Sequence, residues 1–262
     1  PIVGPEGLHR VPGPGTQHRL HRHRPGRVDP GSEGCEHADA PVAELVPEAL
    51  QGEAAVRRQG AGGLALLGGL VLIGQEAGTY SLSGILASPP SSGVAGVGLA
   101  LALVGAMSKS AQAPFHFWLP GAMAAPTPVS AYLHSATMVK AGIFLMARMW
   151  PVLSGTPEWF MIVTTAGLIT MVLGAVIALF KHDLKALLAF STVSHLGLIT
   201  LMFGIGTPLA AVAAIFHIMN HATFKASLFM AAGIIDHETG TRDMRRLSGL
   251  WRFMPQTGLL AM

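Results

Sequence analysis

The stretch Ser108-Lys109-Ser110-Ala111-Gln112-Ala113-Pro114 lies between two apolar runs, about 94–108 and 115–124. Each run is too short to cross a bilayer alone, since a crossing helix needs about 20 residues for a hydrocarbon core about 30 Å thick. Pro114 removes a backbone donor and its ring crowds the preceding turn, so the pattern predicts a helix interrupted near 108–114. Irregular backbone at membrane depth persists only against protein or a wet cavity, and such breaks often mark transport sites. Lys109 sits beside this one. A lysine at a helix centre costs about 2.5–3.5 kcal/mol on insertion scales, so it faces protein or water rather than lipid.

Further apolar runs cover about 61–75, 129–150, 159–180, 184–204, 209–235 and 247–262. Several reach the length of a crossing helix, and together they predict an all-α, polytopic transmembrane helix bundle. Composition agrees: the chain is 50% hydrophobic and 12% charged, with a mean hydropathy of +0.49, where soluble domains carry about 25% charged residues. The net charge of +3 comes without a basic stripe, which leaves nucleic-acid binding unsupported. Cys35 is the single cysteine, so neither a disulfide framework nor a cysteine metal site is expected. No Gly-rich phosphate loop or nucleophile elbow is present, and no cofactor is implied.

Composition divides the chain into two zones. Residues 1–60 are rich in Arg, His, Pro and Gly, as in Arg19-Leu20-His21-Arg22-His23-Arg24-Pro25-Gly26, and show no period of 2 or 3.6. They cannot bury much apolar surface, which suits either a disordered basic tail or a frame-shifted translation. Residues 61–262 form the membrane zone. Lys181-His182-Asp183-Leu184-Lys185 joins two spans, and Arg242, Arg245, Arg246 and Arg252 follow the span ending near 235. Counting one crossing per run puts both loops, 181–185 and 236–252, on one side. The excess of Lys and Arg there predicts the cytoplasmic side.

Titratable residues inside the apolar runs are the candidate site. Lys109 is either a proton-exchanging group or a lysine snorkelling from a helix end. His134 and Lys140 share the run 129–150, six residues and about 240° of net rotation apart, so one helix would not present both on one face. His217, His221 and Lys225 recur at i, i+4, i+8 and stack on one face over about 12 Å. Histidine exchanges protons near neutral pH, so this column suits a proton relay. Structural hydrogen bonding and zinc binding compete, although Ile218 stands where a His-Glu-x-x-His metalloprotease site needs glutamate. His195, beside Ser191, Thr192 and Ser194, is a weaker candidate, as is Lys185. The cluster Asp236, His237, Glu238, Arg242 and Asp243 reads as loop ion pairing.

The stretch from Lys109 to Pro120, followed by Ala125-Pro126-Thr127-Pro128-Val129-Ser130-Ala131, resembles one known proton-conducting membrane module. It is shared by the antiporter-like subunits of NADH:quinone oxidoreductase and the large subunits of multisubunit Na+/H+ antiporters. His134-Ser135-Ala136-Thr137-Met138-Val139-Lys140-Ala141-Gly142, Asp183-Leu184-Lys185, Ser191-Thr192-Val193-Ser194 and His221-Ala222-Thr223-Phe224-Lys225-Ala226 continue the likeness over about 61–262. Ile234-Ile235-Asp236-His237-Glu238-Thr239-Gly240-Thr241-Arg242-Asp243 looks most like the A-type subunit of the multisubunit monovalent cation/proton antiporter. The resemblance implies a multi-pass bacterial inner-membrane protein that works with other membrane subunits and moves protons and monovalent cations. It also implies a path from Lys109 through His134 to His217, His221 and Lys225. His195 departs from the glutamine the family places there. The family's glutamate partner of Lys109 should fall upstream of residue 61, where nothing matches, and its terminal-channel lysine lies past Met262, so a fragment is expected. The rivals are a proton-translocating subunit of NADH:quinone oxidoreductase and, in another class, an inert scaffold whose polar groups only join helices.

Overall fold

The computed structural model describes residues 48–87, 93–124, 127–135 and 137–261. Of the basic zone expected over 1–60, residues 1–47 therefore lie outside the described residues. Among the described residues all regular elements are helical: α1 (Glu48–Ala77), α2 (Leu82–Ala87), α3 (Gly93–Lys109), α4 (Trp118–Gly121), α5 (Thr127–Ser135), α6 (Met138–Leu153), α7 (Pro157–Leu179), α8 (Leu184–Gly204), α9 (Pro208–Thr239), α10 (Leu250–Phe253) and α11 (Pro255–Ala261). Gln59–Ala77, Pro157–Leu179 and Leu184–Gly204 are long and apolar enough to cross a membrane, and α3 is a shorter apolar helix.

Local sequence sets the boundaries of the long helices. Thr156, Asp183 and Thr207 occupy extended N-cap positions, and their side chains accept from the backbone N–H of Trp159, Ala186 and Ala210. Pro157 and Pro208 then enter as first helical residues, where their missing N–H costs nothing. Gly240, at φ 67°, ends α9 in the left-handed conformation that glycine adopts without penalty. With 23 residues, α7 is about 34 Å long and matches a bilayer core.

α7 and α8 form the closest helix pair. A Cβ on Gly167 would meet the backbone of Leu201, and one on Gly197 would meet that of Met171, so the two backbones touch where side chains normally intervene. Trp159, wholly buried, locks the far end by donating from Nε1 to the Phe203 carbonyl at 3.1 Å. The larger core gathers Leu103 and Ala106 of α3, Val139 and Ile143 of α6 and Leu196 and Ile199 of α8. Met123, Ala131, Leu188, Ala189, Phe229 and Ala232 form a second core. Outside, Phe160, Ile169, Val172, Leu209, Val212 and Phe216 are exposed, as suits surfaces that face lipid or further protein.

The interrupted helix is present: α3 stops at Lys109, a turn carries the cis Ala113–Pro114 peptide, and short 3-10 and helical turns occupy 115–124. Two other expectations need correction. The run 129–150 is not one helix, because α5 ends at Ser135 and α6 begins at Met138. Ser135 donates its hydroxyl to the Ala131 carbonyl within α5, and Thr137 at the junction donates to that of Tyr132. Lys140 consequently lies in the first turn of α6, and the rotation expected along a single helix does not apply. The run 247–262 is likewise two short helices, interrupted at Met254 ahead of Pro255.

Candidate functional site

The histidines of α8 and α9 face one another. His195 Nδ1 lies 3.1 Å from His217 Nε2, and the His195 and His221 rings are 5.3 Å apart. Phe224 closes this group edge-on against His195 and His221. One turn further along α9, Lys225 Nζ donates to Ser191 Oγ at 2.5 Å. His217 is half-buried, whereas His221 and Lys225 are buried. The column therefore leads inward from a partly open end. Among the described residues, both ring nitrogens of His221 lack a protein partner, as do both of His134, and buried polar atoms of this kind are ordinarily satisfied by water.

His134 approaches from α5, and its ring stacks on Phe229 of α9 at 5.9 Å. Phe229 is four residues beyond Lys225, so both contacts lie on one side of α9. Lys140 donates to the Ile218 carbonyl at 2.9 Å. It also lines an open cavity of about 610 Å³ with Thr137, Phe144, Arg148 and Met219. Lys109 stands apart from this group: its Nζ donates to Gln59 Oε1 of α1 at 3.3 Å. Among the described residues, no hydrogen bond, ion pair or ring contact links Lys109 to His134.

Lys185 and the loop acids meet at one end of the bundle. Lys185 Nζ lies 3.3 Å from Asp236, and Arg242 reaches Asp183 at 3.5 Å and Asp236 at 3.9 Å. The backbone pairs as well, through Leu184 N–H to Arg242 O and Met244 N–H to His182 O. Arg245 donates hydrogen bonds to Asp243 and holds its carboxyl below the usual carboxylate range. Beside these groups an open cavity of about 560 Å³ is lined by Thr127, Pro128, Lys185, Gly233, Asp236 and Glu238. The Lys185 side chain is 7% exposed and that of Asp236 is 29% exposed. Asp236→Asn thus leaves a mostly buried ammonium without its counter-charge. The substitution should destabilise the protein by about 1–2 kcal/mol, below the cost at a dry pair because water reaches the carboxylate. Thermal unfolding of the detergent-solubilised protein reads this, and an unchanged midpoint would refute it.

The structure thus gathers His195, His217, His221 and Lys225, with Lys140 of α6 bonded to the carbonyl of Ile218 next to His217, and separates Lys109 and Lys185 from them. Ser191 acquires a role that sequence reading did not give it, and Asp236, read as a loop ion-pairing residue, pairs with Lys185 and Arg242. Ser191 and His195 are spaced i, i+4 on α8, as His217, His221 and Lys225 are on α9. Two polar stripes on consecutive helices with a short turn were the available signal. No group of three His, Cys, Asp or Glu residues suited to a metal ion occurs among the described residues.

Known proteins are similar to this chain. The family model described as "NADH:quinone oxidoreductase/Mrp antiporter, TM" matches residues 52–262. The chain is 66% identical over 206 residues to a probable K(+)/H(+) antiporter A/B-type subunit of Rhizobium meliloti, covering 78% of this chain and 21% of that protein. It is 54% identical over 213 residues to the A-type subunit of the Na(+)/H(+) antiporter of Alkalihalophilus pseudofirmus, covering 75% of this chain and 26% of that one. The structure of the Mrp complex from Dietzia sp. DQ12-45-1b matches with a TM-score of 0.74 at 45% identity, over 85% of this chain and 24% of that chain. The membrane-bound sulfane sulfur reductase, an archaeal respiratory membrane complex, matches with a TM-score of 0.75 at 29% identity, over 82% and 45% respectively. The chain therefore spans about a quarter of the length of the curated relatives. With most of its length matched by the family model, the chain belongs to the NADH:quinone oxidoreductase/Mrp antiporter transmembrane family.

Proposed function

We propose that this chain is a membrane part of a multisubunit cation/proton antiporter, in which buried lysines and histidines carry the proton. The observation that carries the proposal is the column His217, His195, His221, Ser191 and Lys225 between α8 and α9, half-open at one end and buried at the other. Lys225 and Lys140 are the charged stations beside it, and His134 approaches from α5. Lys109 beside the helix break is a further station, reached from this column by water or by motion, since no direct contact joins them among the described residues. The relatives named as antiporter subunits support exchange of Na+ or K+ for protons.

The basic loops 181–185 and 236–252 are assigned to the cytoplasmic face of a bacterial inner membrane. Their mutual backbone pairing supports a common side. Other membrane subunits complete the assembly, and the exposed apolar faces of α7 and α9 are available to them. A second reading, a proton-translocating subunit of a redox-driven complex, is favoured by the likeness to the sulfane sulfur reductase complex. Inverted vesicles that contain the complete assembly separate the two. Addition of Na+ or K+ should dissipate an imposed pH gradient without NADH or another electron donor. Gradient changes that occur only with an electron donor would reverse the assignment.

A further inference from the structure

Thr170 lies at the middle of α7, fully buried, while its neighbours Leu168, Ile169 and Val172 are exposed. Its hydroxyl donates to the Ala166 carbonyl one turn back at 2.6 Å, a bond any helical threonine can make. The same oxygen accepts from the backbone N–H of Ala113 at 2.9 Å. Ala113 belongs to the broken segment, where the regular ladder is lost. There the N–H groups of Ser110, Ala111, Gln112 and Phe115 find carbonyls in α3 or in the segment itself, whereas that of Ala113 goes to α7.

The segment is also conformationally costly. Ala111, two residues after Lys109, has φ 50°, a left-handed value that a residue with a Cβ keeps only when its surroundings hold it. The holding groups are identifiable. Ser110 donates to the Ala106 carbonyl at 2.8 Å, Trp118 donates from Nε1 to the Ser108 carbonyl at 3.0 Å, and Thr170 takes the Ala113 N–H. Of these three, Thr170 alone ties the break to a different long helix. α7 is itself fixed to α8, which carries Ser191 and His195, through the glycine contacts at Gly167 and Gly197.

We propose that Thr170 is a positioning residue for Lys109. Its hydroxyl anchors the broken segment to the α7–α8 pair and so sets where the lysine at the end of α3 points. This inference rests on the proposed proton-exchanging role of Lys109. A valine at this position keeps the shape and loses the acceptor, whereas serine keeps the acceptor and loses a methyl group. In the complete assembly in inverted vesicles, Thr170→Val should lower the rate of cation-driven pH recovery about ten-fold or more at unchanged abundance. Thr170→Ser should stay within about two-fold of the parent, because the acceptor is retained.

The reverse pattern, with valine active and serine impaired, would show that Thr170 only packs and would overturn the proposal. Should Thr170→Val fail to assemble, Thr170→Ala takes its place: lost exchange in an assembled complex supports positioning, and full exchange refutes it. If neither variant assembles, the hydroxyl serves folding and the proposal falls. Lys109→Ala runs in parallel. Exchange that survives Lys109→Ala removes the proton-exchanging role of Lys109 on which this inference rests, whereas exchange lost in Lys109→Ala but kept in Thr170→Val sinks only the role of Thr170.

Discussion

Lys225→Arg should abolish cation/proton exchange while the protein still assembles, with a loss of about 100-fold or more, as expected when a proton-transferring group is removed. Arginine keeps the positive charge beside Ser191 and can keep its hydrogen bond, but a guanidinium does not release its proton in proteins. The substitution therefore separates a fixed charge from an exchangeable proton. A scaffold in which Lys225 only joins α9 to α8 tolerates arginine, since the donor remains. Exchange rates at matched abundance decide between them, and near-parental exchange in Lys225→Arg would remove Lys225 from the path. The neighbouring His195 and His217 should give smaller losses singly, because their rings lie against each other and against His221, so a water beside the remaining pair can bridge the gap.

Gly197→Leu should prevent assembly. A Cβ at this position meets the backbone of Met171 and the Gly167 carbonyl, neither of which can turn aside as a side-chain tip can. Overpacking a filled interior costs about 1–3 kcal/mol, and a contact between two backbones should sit at or above the upper end. Separating α7 from α8 also disturbs the Trp159 hydrogen bond to Phe203 and the Ser194 bond to the Met171 carbonyl. The measurement is the amount of assembled protein in the membrane together with its thermal midpoint in detergent. Gly197→Ala should fall between the parent and leucine. Parental abundance of Gly197→Leu would mean that the hairpin opens at little cost.

Much of this architecture was legible in the chain. The runs 159–180, 184–204 and 209–235 correspond to α7, α8 and α9, and the break after Lys109 follows from Pro114. The separation of α5 from α6 was not legible, because Ser135 and Thr137 interrupt an apolar run without a proline or glycine. A hydroxyl-to-carbonyl bond from Thr137 to Tyr132 spans the junction, and it depends on local geometry rather than composition. The stripe His217, His221, Lys225 was visible as a period, yet its partners were not. That His195 and Ser191 face it depends on how α8 packs on α9. Lys109 shows the opposite case: its position beside the break was plain, but contact with His134 does not exist among the described residues. Order along a sequence motif does not give adjacency in space.

Whether the buried lysines carry protons is decided by the rate of Na+- or K+-driven pH recovery in inverted vesicles that contain the complete assembly. The comparison is between the parent, Lys109→Ala and Lys225→Ala at equal abundance. Each alanine variant should assemble and lose exchange. Undiminished exchange in both would show that these lysines only hold helices together, and would contradict a proton path through them.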